Sequence, residues 1–600
     1  MNKIYSLKYS SVTGGLVAVS ELTKKVTTAS RKKLRLSSVV LLPAGVLFAT
    51  GAMASHMWID NFYVRDYLDF AQNKGVFTAG NENISIIKKD GSVYKLPDVP
   101  FPDFSPVANK GATTSIGGAY SVTATHNKTS HQAIATQSWG QTNYKYVDRN
   151  TSDDFAVTRL NKYVVETHGI VSGADTSLTK AQALERYGVN FKGEKKLIAF
   201  RAGSGYLALQ TNGKTFNYKD ISYTPELLNG SFVLVEDWTS GHIVTHNLFD
   251  EFGNRTTSGD SGSPFLLYDN IDKKWVVLGT LFGEYYYPNG NVRSAVNRWN
   301  QSTVDALKKK YTQDVNVNGN EVSQTSLANN KDNVIHGGGT LNIGSNLNLG
   351  NGGLVFDTSQ KYTVKGNNVT YTGAGVDIGE NTTVDWYLKG VTNDNLHKIG
   401  AGTLDVKVTQ GGNLKTGNGT VILSAEKSFN NIYMASGNGT VQLNADKALG
   451  GGDYAGIFFT ENGGTLDLNG HDQAFKYIAA TDSGTTIINT NKDKTATLSV
   501  NNTDAYIYHG NVTGNTKIVH SFEQKQQNER LILDGDINTT NDISIKNAHL
   551  VMQGHATDHA VFRDGGFSCS YPAPLKWLCG TDYVSEIQNK EKVVNQKQNT

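Results

Sequence analysis

Six hundred residues exceed what a single hydrophobic core serves, so two or more domains are expected. Glycine is abundant at 62 residues against 10 prolines, and the formal net charge is +2. Eight basic side chains and one acidic one fall within residues 1–54; the remainder holds 48 basic and 53 acidic side chains, so the apparent basicity belongs to the leader and nucleic-acid binding loses its only support.

The chain opens with Met1–Tyr9 ahead of a basic cluster, Arg31-Lys32-Lys33-Leu34-Arg35. An apolar run from Val39 to Ala49 follows, and then Ala52-Met53-Ala54. Basic, short apolar and small residues in that order predict a secretory signal peptide cut after Ala54. A membrane anchor needs about 20 apolar residues, and this run is shorter and broken by Pro43 and Gly45. The mature part is therefore expected to be soluble outside the cytoplasm.

Beyond Trp58, Asp66–Ala71 predicts a short helix. Ile84–Lys89 and Val93–Leu96 predict strands around the turn Asp90-Gly91-Ser92. Gly117–Asn127 is an apolar strand ending on a histidine. Such a histidine is ordinarily structural, but Thr123-Ala124-Thr125-His126 resembles the Thr-Ala-x-His string around the general base of trypsin-like proteases. Thr151–Val157 then offers two carboxylates. The trypsin-like pattern Asp-apolar-Ala-apolar selects Asp154 and leaves Asp153 as a solvated turn residue.

Gly259-Asp260-Ser261-Gly262-Ser263 supplies a nucleophile. Its glycines let the backbone turn sharply, so that the N–H groups of Gly259 and Ser261 can hold an oxyanion while the Ser261 hydroxyl attacks a carbonyl. Alone the string could be a Gly/Ser surface turn. The order His126, Asp154, Ser261 is that of chymotrypsin, not of subtilisin or the α/β-hydrolases. Downstream, Lys274–Gly283 is a strand expected to line the substrate groove. Thr280, Leu281, Phe282 and Gly283 would pair with substrate backbone there; a plain core strand is the alternative. Arg255, six residues before Ser261, stands where trypsin-like enzymes place the base of the S1 pocket. A cation there would favour an acidic P1 side chain, whereas a surface arginine would not. Ser55-His56-Met57-Trp58 lacks the Ile-Val-Gly-Gly start that inserts beside the residue equivalent to Asp260, so Asp260 has no assigned counter-charge. The same region contains no cysteine, and packing alone must hold it.

Ser302–Tyr311 predicts a helix closing this domain, and Asp314 to about Asp332 an Asn-rich linker. Gly-Thr-apolar units then recur at 339–341, 402–404, 419–421, 439–441 and 464–466, the last four stepping by 17, 20 and 25 residues. A strand-and-turn unit of that length cannot bury its apolar face alone, but stacked units can, which predicts a right-handed parallel β-helix. A propeller needs about twice that period. A polysaccharide-active solenoid would carry a repeating carboxylate cluster, and none recurs along one face. Cys569 and Cys579 cannot by themselves complete a tetrahedral metal site. In an oxidising periplasm they are expected to form a disulfide closing a short loop. No metal and no cofactor are expected.

The extended leader, Arg65-Asp66-Tyr67, Phe70–Gly75, Pro102-Asp103-Phe104-Ser105 and Gly259–Ser263 together resemble the serine protease autotransporters of the Enterobacteriaceae, in the branch of the plasmid-encoded extracellular serine protease and the plasmid-encoded toxin. The resemblance covers essentially the whole chain. It implies host proteins as substrates, spectrin and coagulation factors among them, and a translocator barrel that would follow this N-terminal part of a longer precursor. The expected architecture is all-β. A leader (1–54) precedes a chymotrypsin-like double β-barrel protease (55–315) and a truncated β-helix stalk (316–600), and the passenger is expected to be monomeric. The competing class is a β-helical adhesin carrying a vestigial protease.

Overall fold

The structure, a computed structural model, describes residues 5–10, 15–20 and 54–552. Within the last span it leaves out 109–111, 128–130, 134–141, 212–213, 218–227, 240, 258, 289–290, 451–454, 461–462, 481–483 and 525–527. Two compact units divide the chain, Met1–Leu47 and Phe48–Thr600. In the first, Tyr5–Ser10 pairs antiparallel with Gly15–Ser20. The expected Cys569–Cys579 bridge lies outside the described residues.

The second unit begins with the strand Ala54–Trp58 and the helix Val64–Gln72. Val64, Tyr67, Leu68, Phe70 and Ala71 form the buried face of that helix. Asn73 ends it in the left-handed conformation at φ 54°. An antiparallel five-stranded sheet follows, ordered Thr114–Ser115, Tyr120–Ala124, Phe155–Leu160, Asn143–Ser152, His131–Ala133. Then comes a closed six-stranded barrel of Ile198–Gly203, Asn229–Asp237, Ile243–His246, Val292–Arg298, Lys274–Tyr286 and Pro264–Asp269. Closure leaves no sheet edge in this barrel. Phe62, Phe70, Phe101, Phe200, Phe232 and Phe252 are all buried between these parts, with Phe70 stacked on Phe200 at 5.7 Å. Each such ring contributes roughly 1.5–3 kcal/mol of burial, which is how a cysteine-free region holds together. The closing helix spans Gln301–Lys310, capped by Asn300 accepting from the Thr303 N–H at 3.0 Å.

The predicted linker is not one. Thr312–Asn316 pairs in parallel with Asp332–His336, and Glu321–Ser323 with Thr340–Asn342, so the solenoid starts directly after the helix. Val315 and Val317 alternate into its core at 4% and 1% exposure. Asn318 and Gly319 supply the intervening turn, with φ 53° and 78°. Asparagine abundance here marks left-handed turns between strands, not a flexible spacer.

From Thr312 to Met552 the strands form a parallel solenoid of about 11 turns. Four of the five Gly-Thr-apolar units, from 402–404 to 464–466, fall on one another in register, with Thr383, Thr403, Thr420, Thr440, Thr465 and Thr486 aligned rung by rung; the unit at 339–341 stacks through Val364 and Trp386 onto Val406, two positions along. The residue after each of the aligned threonines, Val384, Leu404, Val421, Val441, Leu466 and Ile487, is wholly buried. No helix among the described residues is long and apolar enough to cross a membrane.

The body formed by residues 54–310 docks on the solenoid through buried charge. Arg159, wholly buried, donates from Nη2 to Asp332 Oδ1 at 2.7 Å, and Tyr163 donates its hydroxyl to the same oxygen at 2.8 Å. Four rungs further along, Lys415 pairs with Glu166, which also accepts from the Tyr144 hydroxyl at 2.7 Å. Each charge has a partner of opposite sign, the condition under which burying it is tolerable.

Candidate active site

Tyr120–Ala124 is a fully buried strand, and its exit delivers His126 to the surface with 37% of its side chain exposed. Asp154 sits at the turn of the Asn143–Ser152/Phe155–Leu160 hairpin. Asp153 turns that hairpin with φ 51° and stays exposed, as the pattern predicts. The two sites meet through a double contact. His126 Nδ1 lies 2.8 Å from Asp154 Oδ2, and the His126 backbone N–H donates to Oδ1 at 2.9 Å. Partial burial raises the Asp154 pKa, but hydrogen bonds from the His126 ring and backbone, its charge, and Asn297 prevail and hold it below the ordinary 3.8. A charged Asp154 fixes the imidazole with a proton on Nδ1, leaving Nε2 as a base.

Ser261 comes from the other half of the body, in the loop leading into Pro264–Asp269. Gly259 and Gly262 take φ of 99° and 83°, a region closed to other residues without strain. A side chain at Gly262 would also strike Ala112 O at 2.4 Å and Thr123 Oγ1 at 2.5 Å. Asn127, the neighbour of His126, donates from Nδ2 to the Ser261 carbonyl at 2.8 Å, so the histidine loop and the serine loop are tied directly. Among the described residues, the N–H groups of Gly259 and Ser261 have no protein acceptor, while those of Asp260, Gly262 and Ser263 are used inside the loop or by Leu281. Two unengaged donors flanking a serine are what an oxyanion needs.

The substrate-side residues divide. Thr280 and Leu281 are buried, and the Leu281 backbone is already bonded to Gly262 and Ser263 on one side and paired with Val296 on the other. Phe282 and Gly283 are partly exposed beyond a register shift, and open space lies where a Gly283 side chain would be. Phe282 stacks on His242 at 4.5 Å and stands edge-on to His126 at 6.4 Å. Arg255 is not a lone cation. Its Nε and Nη2 grip both Glu284 carboxylate oxygens at 3.0 and 3.1 Å, and Tyr286 donates to Glu284 at 2.7 Å. The positive charge expected to attract an acidic P1 group is thus already matched.

Sequence reasoning missed four contributors. Asn127 ties the two loops. Asn297 donates from Nδ2 to Asp154 Oδ2 at 3.2 Å. Arg149 donates to the carbonyls of Asn127 and Thr125 at 3.3 and 3.1 Å and so braces the histidine turn. Arg201 lies wholly buried 3.2 Å from Asp260 and is the counter-charge that the sequence left unassigned. Only Arg201 carried a signal: a charge inside the apolar run Ile198-Ala199-Phe200-Arg201-Ala202. No group of three or more His, Cys, Asp or Glu side chains suited to a metal occurs among the described residues.

Comparison with known proteins agrees with this layout. Residues 1–50 match the extended signal peptide of the type V secretion system and residues 55–304 match the immunoglobulin A1 protease family, Peptidase S6. The serine protease EspP of Escherichia coli is 57% identical over 98% of this chain and 46% of its own length. EspC of E. coli O127:H6 is 53% identical over 100% and 46%, and the Pet autotransporter of E. coli O44:H18 is 48% identical over 100% and 47%. The chain therefore spans about half the length of these curated relatives. The crystal structure of the plasmid-encoded toxin passenger from enteroaggregative E. coli superposes with a TM-score of 0.73 at 47% identity, covering 89% of this chain and 57% of that one. The Haemophilus influenzae Hap adhesin gives 0.67 at 25% identity over 84% and 64%. The leader directs export through the periplasm and outer membrane to the cell surface. From leader to solenoid, this chain is similar over nearly its whole length to about half the length of the serine protease autotransporters of Escherichia coli, with residues 55–304 carrying the match to the Peptidase S6 family.

Proposed function

We propose that this chain is a secreted serine endopeptidase acting on host proteins, with His126, Asp154 and Ser261 as its catalytic residues. His126 takes the Ser261 proton as the hydroxyl attacks a peptide carbonyl, forming a tetrahedral intermediate whose oxyanion rests on the Gly259 and Ser261 N–H groups. The protonated ring then passes its proton to the leaving amine, and an acyl-enzyme remains for water to hydrolyse. Asp154 stabilises the imidazolium throughout, and Asn297 orients Asp154. The observation that carries this reading is the His126–Asp154 double contact beside a serine loop clamped by Asn127. Spectrin-like or coagulation-factor proteins are the proposed substrates. Residues 55–315 would hold the activity and 316–600 the stalk, upstream of a translocator barrel.

Substrate backbone would lie along Phe282–Glu284, since Thr280 and Leu281 present no free face. A second reading, an adhesin in which proteolysis is minor, draws on the likeness to the Hap adhesin. A fluorophosphonate probe separates them. Wild type should label, and Ser261→Ala should not, with kcat on peptides falling about 10⁶-fold. An unlabelled, folded wild type would sink the protease reading. Full host-cell damage by Ser261→Ala would make adhesion the relevant activity.

A further inference from the structure

We propose that Arg201 is a positioning residue for the oxyanion loop. It holds Asp260 from inside the barrel, so that the site forms without help from a freed chain terminus. This rests on the protease reading above. The Asp260 carboxylate is wholly buried and enclosed. Oδ1 accepts the Gly205 N–H at 2.7 Å, and Oδ2 accepts the Thr257 N–H at 3.0 Å and lies 3.2 Å from Arg201 Nη2. The surroundings are shaped to it: a Cβ on Gly203 would meet Oδ1 at 2.3 Å, and one on Gly205 would meet the carboxyl carbon at 2.8 Å. Arg201 is held in turn. Its Nη1 donates to Asn254 Oδ1 at 2.9 Å, Asn254 donates to Asn229 at 2.7 Å, and Asn229 donates to the Gly203 carbonyl at 3.2 Å. Asn254, Asn229 and Gly203 close this ring of contacts back onto the strand that carries Arg201.

The consequence falls on the reacting atoms through the backbone. The Asp260 N–H donates to Thr257 O at 3.0 Å, and its carbonyl accepts from the Ser263 N–H at 2.9 Å. Anchoring the side chain therefore fixes the turn in which Gly259 and Ser261 aim their N–H groups outward. The segment following the expected cleavage point is engaged elsewhere. Ala54–Trp58 is a strand between Tyr206–Thr211 and Asn254–Arg255, with Ser55 opposite Leu207 and His56 opposite Arg255. It buttresses the strands flanking the Arg201–Asp260 pair.

Two experiments test this. In the first, Arg201→Leu should lower kcat by roughly 100- to 1,000-fold, the scale of a lost oxyanion donor, with KM little changed. Arg201→Lys should recover most of that loss. Arg201→Leu/Asp260→Asn should regain thermal stability but not kcat, because a neutral amide cannot accept from both the Gly205 and Thr257 N–H groups. A double variant that regains kcat together with stability would make the pair merely structural and overturn the inference. In the second, the full 600-residue chain made in the cytosol, leader uncleaved, should turn over peptide within about twofold of the processed chain per phosphonate-labelled site. Activity that arises only on leader removal, or a fully active Arg201→Leu, overturns the inference alone. A wild type that folds but does not label overturns it together with the protease reading.

Discussion

In the solenoid, Leu466 meets Val441 one rung below and Ile487 one rung above, partners 25 and 21 residues away in sequence. In the catalytic body, Asn127 reaches Ser261 across 134 residues, and Gly205 reaches Asp260 across 55. The solenoid is thus a sum of near-neighbour interfaces, whereas in the body the site is shared between the five-stranded sheet, which positions His126 and Asp154, and the closed barrel, which positions Ser261, and exists only when both are placed. Damage should stay local in the first and spread in the second. Buried charge follows the same division. The solenoid buries charge against its own turns, wholly buried Lys398 donating to the carbonyls of Gly400, Gly402 and Asn418, while at the junction Arg159–Asp332 and Lys415–Glu166 fix which parts meet.

That contrast can be broken in several places. The largest effect is expected from Asp154→Asn, which keeps the fold but leaves His126 in the wrong tautomer; kcat should fall about 10⁴-fold with an unchanged melting curve. An activity loss matched by unfolding would show that Asp154 is only structural. Next, Arg159→Ala strands Asp332 without its cation and should cost about 3–5 kcal/mol. Limited proteolysis should then find new cuts near residues 311–332, and junction cuts absent at equal denaturant would contradict the role given to this pair. Leu466→Ala removes a buried stack member at a cost of about 2–5 kcal/mol. Hydrogen exchange should rise in the adjoining rungs while peptide turnover stays at the wild-type rate; a slowed protease would mean that the two regions are coupled.

A further prediction concerns pH. Burial, opposed by the Tyr63 N–H and reinforced by Asp69, pushes the Asp66 carboxyl up from 3.8 to about 8. Between those values the folded chain keeps a proton that the unfolded chain has lost, so stability falls as pH rises through the window. The slope is on the order of 1 kcal/mol per pH unit at most. Asp66→Asn retains an acceptor for the Tyr63 N–H and should flatten the Tm profile between about pH 4 and 8. An unaltered slope would move the titration elsewhere.

Much of this was legible beforehand. The helix expected over 302–311 spans Gln301–Lys310, and the four Gly-Thr-apolar units from 402 to 466 stack in register. His126 and Asp154 pair, and Asp153 is the exposed turn residue. Asp314–Asp332 reads as a linker in sequence because asparagine serves linkers and left-handed turns alike, and only the parallel partners at 332–342 distinguish them. Spacing does not choose between a pocket cation and a surface arginine at Arg255, because its partner Glu284 arrives from another strand.

The sequence alone determined whatever repeats or obeys a local rule: the leader, the rungs with their inward aliphatic position, and the glycines that let Ser261 sit in a sharp turn. These depend on residues a few positions apart, or on a period. The tertiary structure alone decided that Arg201 answers Asp260, that Asn127 and Asn297 tie both halves of the site, and that Thr280 and Leu281 have no face left for substrate. Each of those outcomes follows from closing a barrel and burying charge inside it, where the partner is set by three-dimensional proximity and no spacing along the chain encodes it.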